Sequence, residues 1–250
     1  MALAFLLLSI ASQLAKLQHY TPDGQFVKPE YVRFDAHTIF ASLLRDDGAQ
    51  EVVAFHVSRK GTLQRVAAFE ADIRAMELRD VTGDGVPELL VTGLPGNRSS
   101  GVDILKWTGK EFEEIGETSD HGRFIDIDGD GVPEIVEQGD DSINECDART
   151  GPVFVMKLKN GTFEDDERPS LLAVDLVTKR EIISWFLPDD VSTHCTIRML
   201  SEGATSVRVT IGKRTLPLHE GAQPINLPSR CTEADVRVTG GSAVLLLESR

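Results

Sequence analysis

The sequence is short of positive charge and of cysteine. Against 40 Asp and Glu stand 26 Lys and Arg, a formal charge of −14 at neutral pH. So acidic a chain argues against unassisted binding to nucleic acid or to an anionic membrane, both of which would repel it. It suits a protein that loads cations, or one that simply carries an acidic, soluble surface. None of the three cysteines, Cys146, Cys195 and Cys231, has the Cys-x-x-Cys spacing of a zinc or redox site. In an oxidising compartment Cys195 and Cys231 are expected to pair, leaving Cys146 odd; three separate buried thiols are the alternative.

Long apolar runs are also missing, apart from Leu3–Ile10 near the start. That run is too short to span a bilayer, and small residues stand at its end at Ser9 and Ala11, so residues 1–15 read as a secretory signal peptide. A buried N-terminal helix is the competing interpretation, and a basic segment ahead of the apolar run is lacking. No other stretch has the apolar length of a spanning helix, so no integral membrane segment is expected. The signal-peptide reading places the protein outside the cytoplasm: secreted, periplasmic or at the cell surface. Catalytic signatures are missing too: no Gly-x-Ser-x-Gly, phosphate-cradling loop or dinucleotide fingerprint occurs. The histidines, His19, His37, His56, His121, His194 and His219, are scattered without metal-ligand spacing.

What the sequence does contain is a repeat. Phe124-Ile-Asp-Ile-Asp-Gly-Asp-Gly-Val-Pro-Glu-Ile-Val136 matches Leu78-Arg-Asp-Val-Thr-Gly-Asp-Gly-Val-Pro-Glu-Leu-Leu90 at a spacing of 46 residues. Asp47-Gly-Ala-Gln-Glu-Val-Val53 echoes Asp84–Leu90 further upstream. Strand-like runs and tight turns accompany them: Glu51–Ser58 before Lys60-Gly-Thr-Leu63, Val102–Thr108 before Gly109-Lys-Glu-Phe112, and Val153–Lys159 before Asn160-Gly-Thr-Phe163. Asn-Gly between apolar runs is a strong hairpin signal. Each unit then reads as a small antiparallel sheet, and this period suggests propeller blades. Beyond about Pro169 the pattern changes to closely spaced β-rich runs, Glu181–Phe186, Cys195–Leu200, Ser206–Ile211, Thr215–His219, Asp235–Thr239 and Ala243–Glu248, which suggest a β-sandwich module or further, divergent blades. Asp175–Glu181 is a candidate worn-down fourth copy of the acidic loop.

The two loops carry the chemistry. Asp126, Asp128 and Asp130 alternate, Gly131 permits a sharp turn, and the Val132 carbonyl and Glu134 carboxylate complete an oxygen shell suited to Ca2+, which takes six to eight hard ligands. The earlier loop offers Asp80, Thr82, Asp84, the Val86 carbonyl and Glu88. Its third position is a neutral hydroxyl, so it is expected to be the weaker site. The upstream echo has Leu43 and Arg45 at ligand positions and is expected to bind no metal. Glu137 completes a twelve-residue helix–loop–helix calcium pattern in the later loop. Against that reading, the earlier loop has Val91 at the same position, Pro133 removes an N–H, and the flanks are short and β-branched.

With those residues in view, Asp80–Glu88 and Asp126–Glu134 resemble the calcium loops of FG-GAP/VCBS repeats in integrin-type propellers. The resemblance covers roughly residues 40–165 and implies calcium at both loops and a role in extracellular binding or adhesion. The expected fold is mainly β: a β-propeller-like array of FG-GAP/VCBS blades over residues 30–168, then a C-terminal β-sandwich-like module over 169–250. Three recognisable units are fewer than a closed propeller requires. The expected partner is an extracellular protein or glycan ligand. Alternatives are an accessory carbohydrate-binding protein and a polysaccharide lyase or hydrolase with unrecognised catalytic residues.

Overall fold

The computed structural model describes residues 30–45, 47–71, 73–93, 101–119, 122–138, 153–168, 170–187, 191–229 and 231–249. The signal-peptide reading of residues 1–15 lies outside them, as do His121 and Cys146. The described residues form twenty strands in five four-stranded antiparallel sheets, with no helix among them. None of them therefore forms a helix long and apolar enough to cross a membrane.

The first three sheets are simple meanders. The first runs through β1 (Tyr31–Arg33), β2 (Thr38–Leu44), β3 (Gln50–Val57) and β4 (Leu63–Glu70). The second runs through β5 (Ala75–Arg79), β6 (Glu88–Thr92), β7 (Gly101–Trp107) and β8 (Phe112–Ser119). The third comprises β9 (Arg123–Ile125), β10 (Glu134–Gln138), β11 (Val153–Lys159) and β12 (Thr162–Asp165). In the turn joining β11 to β12, Asn160 has φ 53° and Gly161 φ 91°, the left-handed pair that keeps a two-residue turn in step with strand twist. Each acidic loop joins two neighbouring strands: Asp80 follows β5 and Glu88 opens β6, while Asp126 follows β9 and Glu134 opens β10. The flanks of the later loop are thus strands, which a helix–loop–helix hand does not have.

Eight strands follow: β13 (Leu171–Val177), β14 (Arg180–Phe186), β15 (His194–Glu202), β16 (Ser206–Ile211), β17 (Arg214–Leu218), β18 (Gly221–Asn226), β19 (Cys231–Thr239) and β20 (Ser242–Ser249). They pair non-sequentially as β13-β20-β15-β18 and β14-β19-β16-β17. Asp175 lies within β13, so Asp175–Glu181 is a strand, a turn and the start of the next strand, not a fourth acidic loop.

The chain divides into two compact units: Met1–Gly122 with Asp130–Pro133 and Leu158–Glu164, and Arg123–Gly129 with Glu134–Lys157 and Asp165–Arg250. In the first unit, β2, β3, β5, β6 and β7 supply one core that includes Phe40, Val52, Met76, Leu89 and Leu105. Phe40 is fully buried, with its ring centroid 5.6 Å from Trp107 and 5.1 Å from Phe112. Truncating such a side chain to Ala costs about 3–5 kcal/mol. Trp107 therefore serves packing.

In the second unit the sheet holding β13 and β20 is buried on both faces. Ala243, Leu245 and Leu247 join Ile197, Trp185, Val209 and Val236 in one core shared by the two C-terminal sheets. Val244 and Leu246 point the other way, to Ile125, Ile127, Val136, Val155 and Val174. Burial on two sides explains why this strand reads as an unbroken apolar run rather than an alternation. The Trp185 indole N–H is satisfied by Asp175 Oδ2 at 2.9 Å. Cys195, wholly buried on β15, is a free thiol, whereas Cys231 is disulfide-bonded. The expected Cys195–Cys231 bridge is therefore wrong: Cys195 packs into the core as a small apolar side chain, its Sγ donating to the Ser192 carbonyl.

Candidate metal centres

The two acidic loops are built by the same hydrogen bonds. The carboxylate at position 1 accepts the amide of the glycine at position 4: Gly83 to Asp80 Oδ1 at 2.8 Å, Gly129 to Asp126 Oδ1 at 2.7 Å. The carboxylate at position 5 accepts the amide at position 7: Val86 to Asp84 at 2.8 Å, Val132 to Asp130 at 2.9 Å. The glutamate at position 9 turns back to the amide at position 2: Val81 to Glu88 Oε2 at 3.0 Å, Ile127 to Glu134 Oε2 at 2.9 Å. Short acidic side chains that bind amides a few residues on are what fold such a turn. The glycines at positions 4 and 6 have φ between +72° and +89°, which a side chain at Cα resists.

Position 3 breaks the equivalence. In the earlier loop Thr82 Oγ1 donates to Glu88 Oε1 at 3.2 Å, so both oxygens of this buried carboxylate are satisfied within the loop. Asp128 has no proton to give. Glu134, fully buried, is left with Oε1 making no hydrogen bond. The ammonium of Lys157 and the guanidinium of Arg168 face this oxygen at 3.5 Å and 3.6 Å. Burial, the largest influence on each, pushes the carboxyls of Glu88 and Glu134 above the usual range, with Asp128 pushing Glu134 further.

Basic side chains from elsewhere lean on both loops. Lys106 on β7 places Nζ 3.1 Å from Asp84 Oδ2; the Val86 amide and this lysine hold the Asp84 carboxyl below its usual range. Lys157 on β11 stands 2.5 Å from Asp128 Oδ2 and 3.5 Å from Glu134 Oε1. The Arg168 guanidinium lies 3.5 Å and 3.6 Å from the same two oxygens, with its Nε on Asp166. In the upstream echo the equivalent glutamate, Glu51, is buried and its Oε2 accepts from Arg65 at 2.9 Å, while Arg45 pairs with Asp47 and Glu70.

Of the residues read from the sequence, Asp126, Asp128 and Asp130 bring carboxylate oxygens within 4.8 Å of one another. Asp80, Asp84 and Glu88 form no such group among the described residues; Asp80 is turned to the amides of Gly83 and Gly85. Val86 is exposed and Val132 half-buried. A Cβ on Gly83 would come within 3.2 Å of Val132 Cγ2, so the earlier loop also meets the Gly131–Val132 turn. The residues present suit a calcium ion at the later loop: hard oxygens only, three converging carboxylates, and a buried carboxylate oxygen that makes no hydrogen bond.

A second acidic triad is assembled by strand register, from residues with no common motif in the sequence. Asp103 on β7 and Glu114 and Glu117 on β8 also bring carboxylate oxygens within 4.8 Å. Asp103 lies directly opposite Glu117, and a register shift after Ile104 accompanies the approach of Glu114. Burial, then the two glutamates, raise the Asp103 carboxyl above its ordinary value. The hairpin at Gly109 was legible; the register that makes Asp103 face Glu117 was not.

No known protein family matches the chain, and no curated protein matches it. Among solved structures, a sucrose-6-phosphate hydrolase from Lactobacillus gasseri is similar over 89% of this chain, at 8% identity and a TM-score of 0.33. The chain spans 66% of that protein's length. A likeness at that level bears on neither mechanism nor substrate.

Proposed function

We propose that this is a secreted or cell-surface calcium-binding repeat protein that acts in extracellular binding or adhesion. In this reading the three meander sheets are FG-GAP/VCBS-type blades of a propeller-like array, and the two C-terminal sheets form a β-sandwich-like module. The observation that carries it is Glu134: a fully buried carboxylate whose Oε1 makes no hydrogen bond and is faced by the Lys157 and Arg168 charges at 3.5 Å and 3.6 Å, beside three converging aspartates. The ligand set would be Asp126, Asp128, Asp130, the Val132 carbonyl and Glu134, with Asp80, Thr82, Asp84, the Val86 carbonyl and Glu88 at the earlier loop. Calcium there neutralises carboxylates that otherwise repel one another and stiffens the loop between two strands. The disulfide at Cys231 is in keeping with an oxidising compartment.

The test is a melting curve in calcium and in chelator. Extracellular calcium modules have dissociation constants of about 0.1–1 mM, so millimolar calcium contributes roughly 0.4–1.4 kcal/mol per site. The melting temperature is expected to rise by a few degrees, with little response to magnesium, which demands a smaller octahedral shell. Asp80→Asn together with Asp126→Asn is expected to abolish the shift. A wild-type curve that does not move with calcium sinks the proposal. A glycan array alongside a panel of extracellular matrix proteins then distinguishes sugar from protein as the bound ligand.

A further inference from the structure

The later loop already holds a cation of its own. Lys157 Nζ stands between Asp128 and Glu134, which occupy positions 3 and 9 of the loop. Arg168 braces the same two oxygens from farther away and is anchored by Asp166. Each repeat shows a version of this device. Arg65 supplies the charge for Glu51 in the upstream echo, Lys106 lies on Asp84 in the next repeat, and Lys157 and Arg168 serve the last.

Charge arithmetic gives the device a meaning. With all carboxylates ionised, the later loop and the Asp166 that binds Arg168 set five acidic side chains against Lys157 and Arg168, leaving three negative charges. The earlier loop sets Asp80, Asp84 and Glu88 against Lys106, leaving two. At the echo, Glu51, Asp47 and Glu70 stand against Arg65 and Arg45, leaving one. Each complete loop thus carries more uncompensated negative charge than the degenerate one, as a site for a divalent cation requires.

We propose that Lys157 is a tethered competitor for calcium at the Asp126–Glu134 loop. Its ammonium keeps the loop folded at low calcium and must leave Asp128 and Glu134 when the ion binds. The inference rests on the calcium reading above and adds a threshold to it: the loop is a sensor set by an internal salt bridge, not a permanently loaded structural site. A lysine suits this better than an arginine, because its single flexible stem lets the charge swing to solvent. Arg168, held by Asp166, stays.

Two measurements test it, both made on the full chain. Asp80→Asn with Asp84→Asn first silences the earlier loop. In that background Lys157→Met is expected to tighten calcium binding by about tenfold in calorimetry, the order of one charge-assisted hydrogen bond, and to lower the melting temperature in chelator. On the unaltered protein, brief acetylation with mass-spectrometric readout is expected to modify Lys157 slowly in chelator and several-fold faster at saturating calcium. This measurement does not depend on the variant folding. If calcium binds the unaltered protein but leaves Lys157 equally protected, or if Lys157→Met binds it no more tightly, the competition is overturned while the calcium reading stands. Absence of binding in the unaltered protein and in Lys157→Met alike overturns the calcium reading and the inference together.

Discussion

Arg198 on β15 donates from Nη1 to the carbonyl oxygen of Ile127, the second residue of the later acidic loop, at 2.5 Å. Its Nη2 reaches Glu248 on β20 at 2.8 Å, and Ile127 itself is wholly buried beside Val244 and Leu246. The loop that gathers three aspartates is therefore pinned from below by one arginine and one isoleucine of the same unit.

Arg198→Met keeps the apolar stem and removes both hydrogen bonds. It is expected to destabilise the protein by about 1–3 kcal/mol, because the Ile127 carbonyl loses its charged donor and Glu248 its partner. Urea unfolding measures this. A loss below about 0.5 kcal/mol would show that the Ile127 carbonyl finds water instead.

Asp103 gives a pH dependence of defined sign. Its folded carboxyl lies above the ordinary 3.8 through burial and its two glutamate neighbours, so the folded state holds the proton more tightly than the unfolded one. The penalty is absent below 3.8, builds as pH rises toward the raised folded value, and is full above it. Asp103→Asn is accordingly expected to stabilise the protein at neutral pH by about 0.5 kcal/mol, the order of a like-charged cross-strand pair, with the gain shrinking in acid. Melting curves from pH 7 to pH 4 in chelator decide it. Destabilisation by the substitution would mean the triad is not repulsive.

Cys195 and Cys231 are expected to behave differently under alkylation. Burial pushes the Cys195 thiol up and hides it, so it should resist iodoacetamide in the folded protein and react at once in denaturant without reductant. Cys231 should react only after reduction. Peptide mapping separates the two, and a cystine linking Cys195 to Cys231 would contradict the structure.

Local patterns were readable and pairings were not. Val153–Lys159 and Ser206–Ile211 are strands over the ranges their alternation indicates, and Asn160-Gly161 is the expected turn. β18 has no strand pattern in the sequence because Pro224 and polar residues disguise it; as the edge strand beyond β15 it tolerates a missing N–H. β13 was obscured by Asp175, which is polar because it answers the Trp185 indole. At the loops, ligand types followed from spacing, since positions 1, 3, 5 and 9 lie in one short segment. Lys106, Lys157 and Arg168 did not, because strand pairing and the path of the following chain bring them there. Nor could the sequence show that Thr82 satisfies Glu88 while Asp128 leaves Glu134 wanting.

The strand order of the C-terminal sheets sets a schedule for biosynthesis. Each meander sheet has low contact order and can close soon after its last strand leaves the ribosome. β13 cannot, because its only partner in its sheet is β20, the last strand described, which also lies between β13 and β15. Until β20 emerges, the nascent chain exposes two strand edges and lacks Leu245 and Leu247, which close the core beneath them. For that interval the C-terminal half is a natural client for a chaperone.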